Sequence, residues 1–309
     1  MAKTLTIALQ TYDRPKYLSE SITSILNQTF KDYELIILDN GSGPETVSVI
    51  KSFHDSRIRY IRNNINDLNF LNKAFELVNN KFLMIFHDDD VMNPYLIENL
   101  IDTIEKDDSI NSVSCSINLM DENSKSIKKI RPRIFKNKNW KKTEYIKEYL
   151  LRGSIIPCPS TIYRSSIIKN NDLKYELEVG PAADLFLFFK INLLPGKMIL
   201  LKKPLLNYRI HINQGSEQKR VELEIQVRQH IFRLLQENKL YTLSQKYLKA
   251  SLGIILNILI NDVISGKLKY NNALKHFDKL KNEKTSLINI YTIYWALIGV
   301  LRGIKNKIS

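Results

Sequence analysis

The stretch "KFLMIFHDDDVMNP", Lys81 to Pro94, carries the most information about the fold of this 309-residue chain. It begins with an apolar run, Phe82 to Phe86, of the length of a buried strand. His87 and three adjacent aspartates, Asp88 to Asp90, follow directly. Adjacent carboxylates repel one another, and a carboxylate that loses its water without a partner is costly. The stretch therefore predicts a buried strand that ends at a site with a positive partner.

The residues before this stretch alternate between apolar runs and amphipathic segments. Strands are predicted in "LTIAL" (5–9), "YELIILDN" (33–40), "IRYIRN" (58–63) and "KFLMIF" (81–86), and helices over 16–30, 44–55 and 68–80. Strands that alternate with crossover helices favour a mostly parallel sheet covered on both faces. Ligands of such sheets bind beyond the carboxyl ends of the strands, where "QTYDRP", "DNGSGP" and "HDDDVMNP" stand.

The pattern changes near residue 215. Residues 112–215 mix short strand-like runs with proline and glycine, whereas the residues from Glu217 onward have apolar residues at almost continuous helical spacing. The sequence thus predicts an α/β fold, with a mostly parallel mixed sheet flanked by helices, followed by a C-terminal α-helical region over 216–309.

Composition narrows the class of protein. The 44% hydrophobic and 25% charged content is ordinary for a soluble chain and excludes a disordered one. A formal net charge of +14 favours anionic partners, which include nucleic acid, an acidic membrane surface and a phosphorylated substrate. Cys115 and Cys158 are far apart, so neither a disulfide framework nor a zinc site is indicated. The start "MAKTLTIALQTY" has no apolar core of signal-peptide length, so we expect a cytoplasmic protein.

The three aspartates have two interpretations when they are taken alone. A hard divalent cation such as Mg²⁺ or Mn²⁺ would relieve their repulsion, and it would complete its shell with water and substrate phosphates. A solvated acidic turn that caps the following helix would also place carboxylates there.

Two segments together resemble a known family. "TIALQTYDRPKYLSESITSILNQTFKDYELIILDNGS", followed by "FLMIFHDDDVMNP", is similar to the nucleotide-sugar-binding half of the inverting glycosyltransferase family 2. The resemblance implies a GT-A fold, which is Rossmann-like, with a catalytic domain over 1–215. Its residues 1–110 would bind the nucleotide sugar and its residues 111–215 the acceptor.

The resemblance also implies roles for individual residues in donor binding. Thr11, Tyr12 and Arg14 would lie along the nucleotide, and Asp88 near the ribose and diphosphate. Asn40 stands at a base-reading position that is often an aspartate, and its amide oxygen can accept from a pyrimidine N3–H. A uracil or thymine base is therefore expected. The alternative interpretation is that Asn40 belongs to an ordinary turn that leads into the next helix.

Metal binding and catalysis fall on other residues of the same pattern. Asp89 matches the metal ligand, and His87 stands where many members have the first aspartate of their DxD motif. His211 in "NYRIHINQGS" would reach the metal or the diphosphate, with Arg209 pairing with phosphate; a structural histidine is the alternative. Asp184 in "GPAADLFLFFKI" matches the catalytic base, although an aspartate at this place is also ordinary for a helix N-terminus.

The implied reaction is a metal-dependent single displacement at the anomeric carbon of a UDP- or dTDP-sugar. The acceptor would be a hydroxyl of a glycan or of a lipid-linked saccharide, in the synthesis of a bacterial-type surface polysaccharide, lipooligosaccharide or glycoprotein glycan. Two alternatives remain from other classes of protein: a metal-dependent nucleotidyltransferase or nucleic-acid enzyme, and a non-catalytic binding protein on a degenerate transferase fold. No nucleic acid partner is expected under the leading interpretation, and self-association stays open.

Three further segments carry weaker signals. The basic stretch 125–142 contains Trp140 and is interpreted as a solvated surface loop, with base stacking as the alternative. In "GSIIPCPSTIYRSSI", Pro159, Ser160 and Arg164 are candidates for acceptor contacts, and a buried connection is favoured. Residues 288–307 combine an apolar run with basic residues, so they would either lie at the inner face of the cell membrane or pack against protein.

Overall fold

The structure is a computed structural model that describes residues 3–152, 156–211 and 220–264. The chain divides into two compact units. The first unit comprises Met1–Tyr145, Ser154–Leu177 and Leu187–Gln214, and the second comprises Ile146–Gly153, Glu178–Phe186 and Gly215–Ser309. The predicted division at residue 215 therefore stays a prediction, because two short earlier segments group with the C-terminal residues.

One sheet organises the first unit. Its strands are β1 (Leu5–Thr11), β2 (Tyr33–Asp39), β3 (Ile58–Arg62), β4 (Phe82–His87), β5 (Val91–Met92), β6 (Ile110–Met120), β7 (Ser126–Arg131), β8 (Lys138–Lys141), β9 (Thr161–Arg164) and β10 (Lys197–Arg209). They are ordered β3-β2-β1-β4-β9-β6-β10-β5, with β7 beside β6 and β8 beside β10. The pairs β3–β2, β2–β1, β1–β4 and β6–β10 are parallel, while β9 runs antiparallel to both β4 and β6. The predicted fold class, a mixed α/β sheet with helices, is confirmed.

The helices follow the predicted order with shorter bounds. They are α1 (Pro15–Leu26), α2 (Pro44–Lys51), α3 (Lys73–Leu77), α4 (Leu96–Ile104), α5 (Glu144–Arg152), α6 (Ser165–Asn170), α7 (Ala183–Leu193), α8 (Arg220–Glu237) and α9 (Tyr241–Ile264). The helix predicted over 68–80 is wrong in detail: residues Leu68–Asn72 form a 3₁₀ helix before α3. Asn80 lies beyond the end of α3, and its amide donates instead to Thr6 Oγ1 (2.9 Å) and Glu34 Oε1 (2.8 Å).

The core of the first unit follows from period-two alternation along the strands. Every second side chain of a strand points to the same face, and these side chains are apolar. The buried cluster contains Leu5, Ile7 and Leu9 of β1, Leu35 and Ile37 of β2, Phe82, Met84 and Phe86 of β4, and Val113, Cys115, Ile117 and Leu119 of β6. The apolar stripes of α1 and α4 belong to the same cluster. The core fixes the register of the strands and therefore the level at which each of them ends.

The basic stretch 125–142 is more ordered than the sequence suggested. It contains β7 and β8, so the prediction of a surface loop throughout is wrong, although all six residues of β7 are exposed. Trp140 is 3% exposed and its ring lies edge-on to Tyr145, with centroids 5.2 Å apart. Because this indole is in the core, it offers no platform for stacking a nucleic acid base.

The second unit contains α8 and α9, which confirm the predicted helical C-terminal region. Gln236 Nε2 of α8 donates to Ser244 Oγ of α9 (2.6 Å), and the rings of Tyr149 and Tyr247 stack with centroids 6.3 Å apart. None of the helices in the described residues is long and apolar enough to cross a membrane. The predicted interfacial segment, residues 288–307, lies outside the described residues.

Both cysteines are expected to be unreactive in the folded protein. Cys115 and Cys158 are buried free thiols, and burial raises the pKa of the Cys115 thiol to about 12. The thiolate is the reactive form, so at mildly alkaline pH Cys115 stays protonated and shielded. Ellman's reagent should label neither cysteine in native protein and both in denaturant. Rapid labelling of Cys115 without denaturant would contradict this packing.

Candidate functional site

The carboxyl ends of the four parallel strands meet at one level of the sheet. In the register of these strands, Thr11 of β1 lies beside Asp39 of β2, Asp39 beside Arg62 of β3, and Gln10 beside His87 of β4. The three polar segments of the sequence leave the ends of β1, β2 and β4. The predicted convergence of polar groups at this edge is therefore present.

Arg14 is the positive partner of the aspartates in this structure. Its Nη1 lies 3.1 Å from Asp88 Oδ1 and 2.9 Å from Asp89 Oδ2, so one guanidinium nitrogen bridges both carboxylates. Burial acts to lower the pKa of Arg14, but the charges of Asp88 and Asp89 outweigh it and raise the pKa. Arg14 directly precedes Pro15, the first residue of α1, which fixes the backbone from which the side chain reaches the aspartates.

Asp88 is tied to the loop that follows β1. Its Oδ2 accepts from Thr11 Oγ1 (2.8 Å) and from the Tyr12 backbone N–H (3.4 Å). Burial raises the pKa of this carboxyl, while Arg14 and the Thr11 hydroxyl act in the opposite direction. Tyr12 itself is 44% exposed, so its ring is available to a ligand at this edge.

Asp89 contacts His211, which is 122 residues later in the sequence. His211 Nε2 lies 3.0 Å from Asp89 Oδ2, and both side chains are buried. Two ligand atoms in neighbouring positions of an octahedral shell, each about 2.1 Å from the ion, lie about 3.0 Å apart. The observed distance is therefore compatible with ligation of one hard cation by both side chains, as well as with the direct hydrogen bond.

Asp90 supports the loop and leaves one oxygen without a partner. Its Oδ1 accepts from the Arg209 backbone N–H (2.9 Å), whereas Oδ2 is buried and has no hydrogen bond within the part of the chain that is described. Burial raises the pKa of Asp90 well above its ordinary value, and the charge of Asp89 raises it further. Ligand atoms of His87, Asp89 and Asp90 lie within 4.8 Å of one another, so this side of the loop also offers a metal-ligating donor set.

The side chain of Arg209 donates hydrogen bonds to other parts of the first unit. It is fully buried; its Nε donates to the Asp89 carbonyl (2.7 Å), its Nη2 to Glu20 Oε2 (2.6 Å) and its Nη1 to Ser124 Oγ (2.8 Å). The guanidinium also lies over the Tyr17 ring, 4.5 Å from its centroid. The suggestion that Arg209 pairs with phosphate is therefore wrong for this structure. Its Nε holds residues Asp88 to Asp90, named here the aspartate loop, and its other donors hold Glu20 and Ser124.

Removing this guanidinium should destabilise the protein. We expect Arg209→Met to lower the free energy of unfolding by about 3 kcal/mol, at the lower end for removal of one partner of a buried pair. The lower end applies because the Glu20 side chain is 42% exposed and keeps part of its hydration. Urea denaturation measures the change, with Arg59→Met as an exposed control. Equal changes in the two variants would contradict the role of Arg209 in holding the loop.

Asn40 binds a second loop, residues 63–67. Its Nδ2 donates to Asn66 Oδ1 (2.9 Å) and to the Asp67 carbonyl (3.0 Å), and its Oδ1 accepts from the Asp67 N–H (3.1 Å) and from Asn63 Nδ2 (3.4 Å). Gly41 at φ +88° packs against the same loop, where a Cβ would lie 2.7 Å from the Ile65 carbonyl carbon. Both amide donors and both lone pairs of Asn40 are thus in use. Base recognition by Asn40 stays a prediction, and direct contact would require exchange of one of these bonds.

Residues 6–170 match the sequence profile described as Glycosyl transferase family 2, which is more than half of the chain. The chain belongs to glycosyl transferase family 2. Two uncharacterized glycosyltransferases are among its relatives. The one from Methanocaldococcus jannaschii is 30% identical over 212 residues, which cover 67% of this chain and 70% of the relative. The one from Haemophilus influenzae is 27% identical over 212 residues, 66% of this chain and 65% of the relative.

Solved structures show the same fold. Staphylococcus aureus TarS 1–349 in complex with UDP-GlcNAc superposes with a TM-score of 0.66 at 15% identity, covering 99% of this chain and 91% of that chain. The mannosyltransferase PcManGT from Pyrobaculum calidifontis, in complex with GDP-Man and Mn²⁺, gives a TM-score of 0.53 at 14% identity over 99% of this chain and 88% of that chain. The family 2 fold predicted from two sequence segments is therefore confirmed.

The predicted base of this family 2 protein, Asp184, belongs to the second unit. It lies in the first turn of α7, and its Oδ1 accepts from the Leu185 N–H at 2.7 Å. A carboxylate at a helix N-terminus is stabilised in its charged form. The interpretation as an N-terminal helix residue is thus confirmed, and the role as general base stays a prediction.

The candidates for acceptor contacts lie in the interior of the fold. Ser160 Oγ donates to the Cys115 carbonyl (3.0 Å), and Pro159 is buried beside it. Arg164 pairs with Phe82, the first residue of β4, and donates to the carbonyls of Ile104 and Ile110. It therefore lies at the amino end of β4, whereas the aspartates follow its carboxyl end. The favoured interpretation of a buried connection is supported.

Three residues at the site were not singled out from the sequence. Tyr17 and Glu20 of α1 contact Arg209, and Ser124 Oγ donates to Glu20 Oε2 (2.7 Å). Tyr17 and Glu20 are three residues apart, so they share a helix face. That spacing was visible in the sequence, but nothing in it pointed this face toward the end of β10.

Proposed function

We propose that this chain is a metal-dependent inverting glycosyltransferase. It moves a sugar from a UDP- or dTDP-sugar to a hydroxyl of a glycan or lipid-linked saccharide acceptor. The observation that carries the proposal is a cluster of ion pairs beyond the carboxyl ends of β1 and β4. It comprises Arg14, Asp88, Asp89 and His211. In such sheets this edge is where nucleotides and their phosphates bind.

The donor would lie along the loop after β1. Thr11 and Asp88 are hydrogen-bonded to each other, Tyr12 is exposed beside them, and Arg14 reaches the same carboxylates. Arg14 can exchange a carboxylate for a phosphate oxygen, since a guanidinium binds both well. The solved neighbours whose complexes hold UDP, UDP-GlcNAc and GDP-Man support a nucleotide sugar as the ligand.

Asp89 and His211 would hold a Mn²⁺ or Mg²⁺ ion. Support comes from their 3.0 Å separation, from the unpartnered Oδ2 of Asp90 nearby, and from the Mn²⁺ in the PcManGT complex. When bound, the ion would supply positive charge to the departing diphosphate. Asn40 would read a uracil or thymine base after exchanging one of its hydrogen bonds to the loop 63–67.

Asp184 would take the proton from the acceptor hydroxyl as the hydroxyl oxygen attacks the anomeric carbon. The bond to the diphosphate oxygen breaks on the opposite face, so the anomeric configuration inverts. A general base must be ionised before the reaction, and the helix N-terminus at Asp184 favours that form. In this scheme the catalytic domain spans 1–215, with the donor half in 1–110 and the acceptor half in 111–215.

The biological setting is proposed from the resemblance to family 2. We propose synthesis of a surface polysaccharide, lipooligosaccharide or glycoprotein glycan, by a cytoplasmic protein that contacts the inner face of the membrane. A lipid-linked acceptor would require the site to be brought to a bilayer surface. Association of two copies of the chain is compatible with this scheme.

A donor panel tests the proposal. Purified full-length protein is incubated with UDP-, dTDP- and GDP-sugars, with and without Mn²⁺, and release of the nucleoside diphosphate is measured. We expect that one donor is turned over and that this turnover requires the metal. The Asp89→Ala variant should release the nucleoside diphosphate much more slowly than wild type. Release of sugar 1-phosphate instead, with transfer of the nucleoside monophosphate, would favour a nucleotidyltransferase. No turnover of any donor, combined with no thermal shift by any donor, would favour a non-catalytic binding protein.

A further inference from the structure

The basic stretch 125–142, named here the basic segment, concentrates charge of one sign. Nine of its residues are Lys or Arg and none is Asp or Glu. All six residues of β7 are exposed, and the loop that follows it keeps Arg133 and Lys136 exposed as well. The excess positive charge of the whole chain is thus partly gathered on one strand and its following loop.

Most of these cations have no partner of opposite charge. Among the residues that the structure describes, Lys128, Lys129, Arg131, Arg133 and Lys136 form no ion pair with a carboxylate. Uncompensated cations on one segment repel one another, so an anionic surface that neutralises them would bind favourably.

A neighbouring strand adds to the same surface. The backbone N–H of Lys202 in β10 donates to Asn137 Oδ1 at 2.9 Å, and the Lys202 side chain is exposed. The basic segment therefore lies against another exposed cation that is 65 residues away in the sequence. Tertiary structure extends the positive surface beyond the stretch that the sequence shows.

Large apolar side chains stand exposed among the cations. Ile127 is 43% exposed, Ile130 is 45% exposed and Phe135 is 88% exposed. Among the described strands, β7 pairs with β6 alone, and lysines on such an edge strand commonly prevent pairing with other chains. That protection explains lysines, but it does not explain exposed isoleucines and a phenylalanine, which would favour aggregation.

We propose that the basic segment docks this protein on an anionic phospholipid bilayer. Lys and Arg are attracted to the charged headgroups, and the apolar side chains of Ile127, Ile130 and Phe135 enter the boundary between headgroups and acyl chains. A soluble polyanion would satisfy the cations alone and would leave these apolar side chains in water. The combination of unpaired cations with exposed apolar groups therefore favours a bilayer.

The docking surface connects to the candidate site. Arg209 donates to Ser124 Oγ in the turn before β7 and to the carbonyl of Asp89, so one side chain ties this turn to the aspartate loop. If the acceptor is lipid-linked, as the proposed function has it, docking here would hold the site near its acceptor. Bilayer binding itself requires no donor and is tested apart from turnover.

Vesicle flotation of full-length protein tests the docking surface. Phosphatidylcholine vesicles are compared with vesicles that also contain phosphatidylglycerol, at low and high salt. Two triple variants are used: Lys128→Gln/Lys129→Gln/Arg131→Gln, and Ile127→Ser/Ile130→Ser/Phe135→Ser. The control, Lys51→Gln/Lys106→Gln/Lys169→Gln, removes the same charge from exposed lysines elsewhere in the first unit. Circular dichroism melts confirm that all variants are folded.

We expect binding only to the anionic vesicles, weaker at high salt. A cation near an anionic surface contributes roughly fivefold to partitioning, so the charge variant should lose at least about tenfold. The apolar variant should lose binding too, whereas the control should keep most of it. Absence of wild-type binding, or equal binding by the control and both variants, would overturn the proposal. Loss in the charge variant alone, with retained binding of heparin or RNA by the apolar variant, would assign the segment to a soluble polyanion instead.

Discussion

Asp89→Asn should abolish most sugar transfer while leaving the fold intact. Asparagine keeps the size of the side chain but removes the charge that faces Arg14 and His211 at 2.9 Å and 3.0 Å. A bound cation supplies several kcal/mol of charge stabilisation to a departing phosphate, so we expect a loss of roughly 10²- to 10³-fold in kcat. The half-saturating Mn²⁺ concentration should rise as well, because in the proposed scheme Asp89 and His211 hold the ion and the substitution weakens one of them.

Titration of Mn²⁺ in donor-turnover assays measures both effects. Asp102→Asn is the matched control, since Asp102 is an exposed aspartate on α4. Its variant should behave as wild type. A variant at Asp89 that loses activity without any change in its Mn²⁺ dependence would show that this carboxylate positions Arg14 and does not bind the ion.

Asp184→Asn should separate chemistry from donor binding. If Asp184 removes the acceptor proton, the variant should lose roughly 10²- to 10⁴-fold in kcat, the usual range for a positioned general base. The affinity for the donor should stay unchanged, because in the proposed scheme the donor is held by residues that follow β1 and β4. Isothermal titration with the donor, together with transfer assays, gives the two quantities.

Glu178→Gln controls for the loss of a negative charge from the same unit, since Glu178 is exposed. It should retain wild-type turnover. If Asp184→Asn instead weakens donor binding and transfer in parallel, Asp184 acts in the donor site. If the variant unfolds at lower temperature by several degrees more than Glu178→Gln, its contribution is to the helix N-terminus.

The sequence predicted strands β1, β2, β3 and β4 well because their signal is local. Runs such as Phe82–Phe86 are apolar over the length of a strand, and the alternation with amphipathic helices favours parallel pairing. It also predicted that the aspartates need a positive partner, because the repulsion of adjacent carboxylates follows from their chemistry alone. The partner observed in the structure, Arg14, was predicted to lie along the nucleotide.

The bounds of shorter elements and the roles of individual polar side chains were less predictable. In place of the helix predicted over 68–80, the structure has a 3₁₀ helix and the short helix α3. Trp140 lies in the core although its sequence neighbours are basic. Distant segments take part in both cases: Asn80 donates to Thr6 and Glu34, and Trp140 of β8 pairs with Met198 of β10. Helix propensity and local polarity are weak beside such contacts.

What the sequence by itself determined is the order of β1 to β4 and of the helical segments between them, the family, and the edge of the sheet where the polar segments gather. Only the tertiary structure decided that His211 contacts Asp89, 122 residues away in the sequence, and that Arg209 donates to the Asp89 carbonyl. It also decided that Asn40 anchors the loop 63–67. The physical reason is that apolar periodicity is a property of neighbouring residues and can be seen in the sequence. A hydrogen bond or ion pair between distant residues depends instead on which chain segments the folded core brings within about 3 Å.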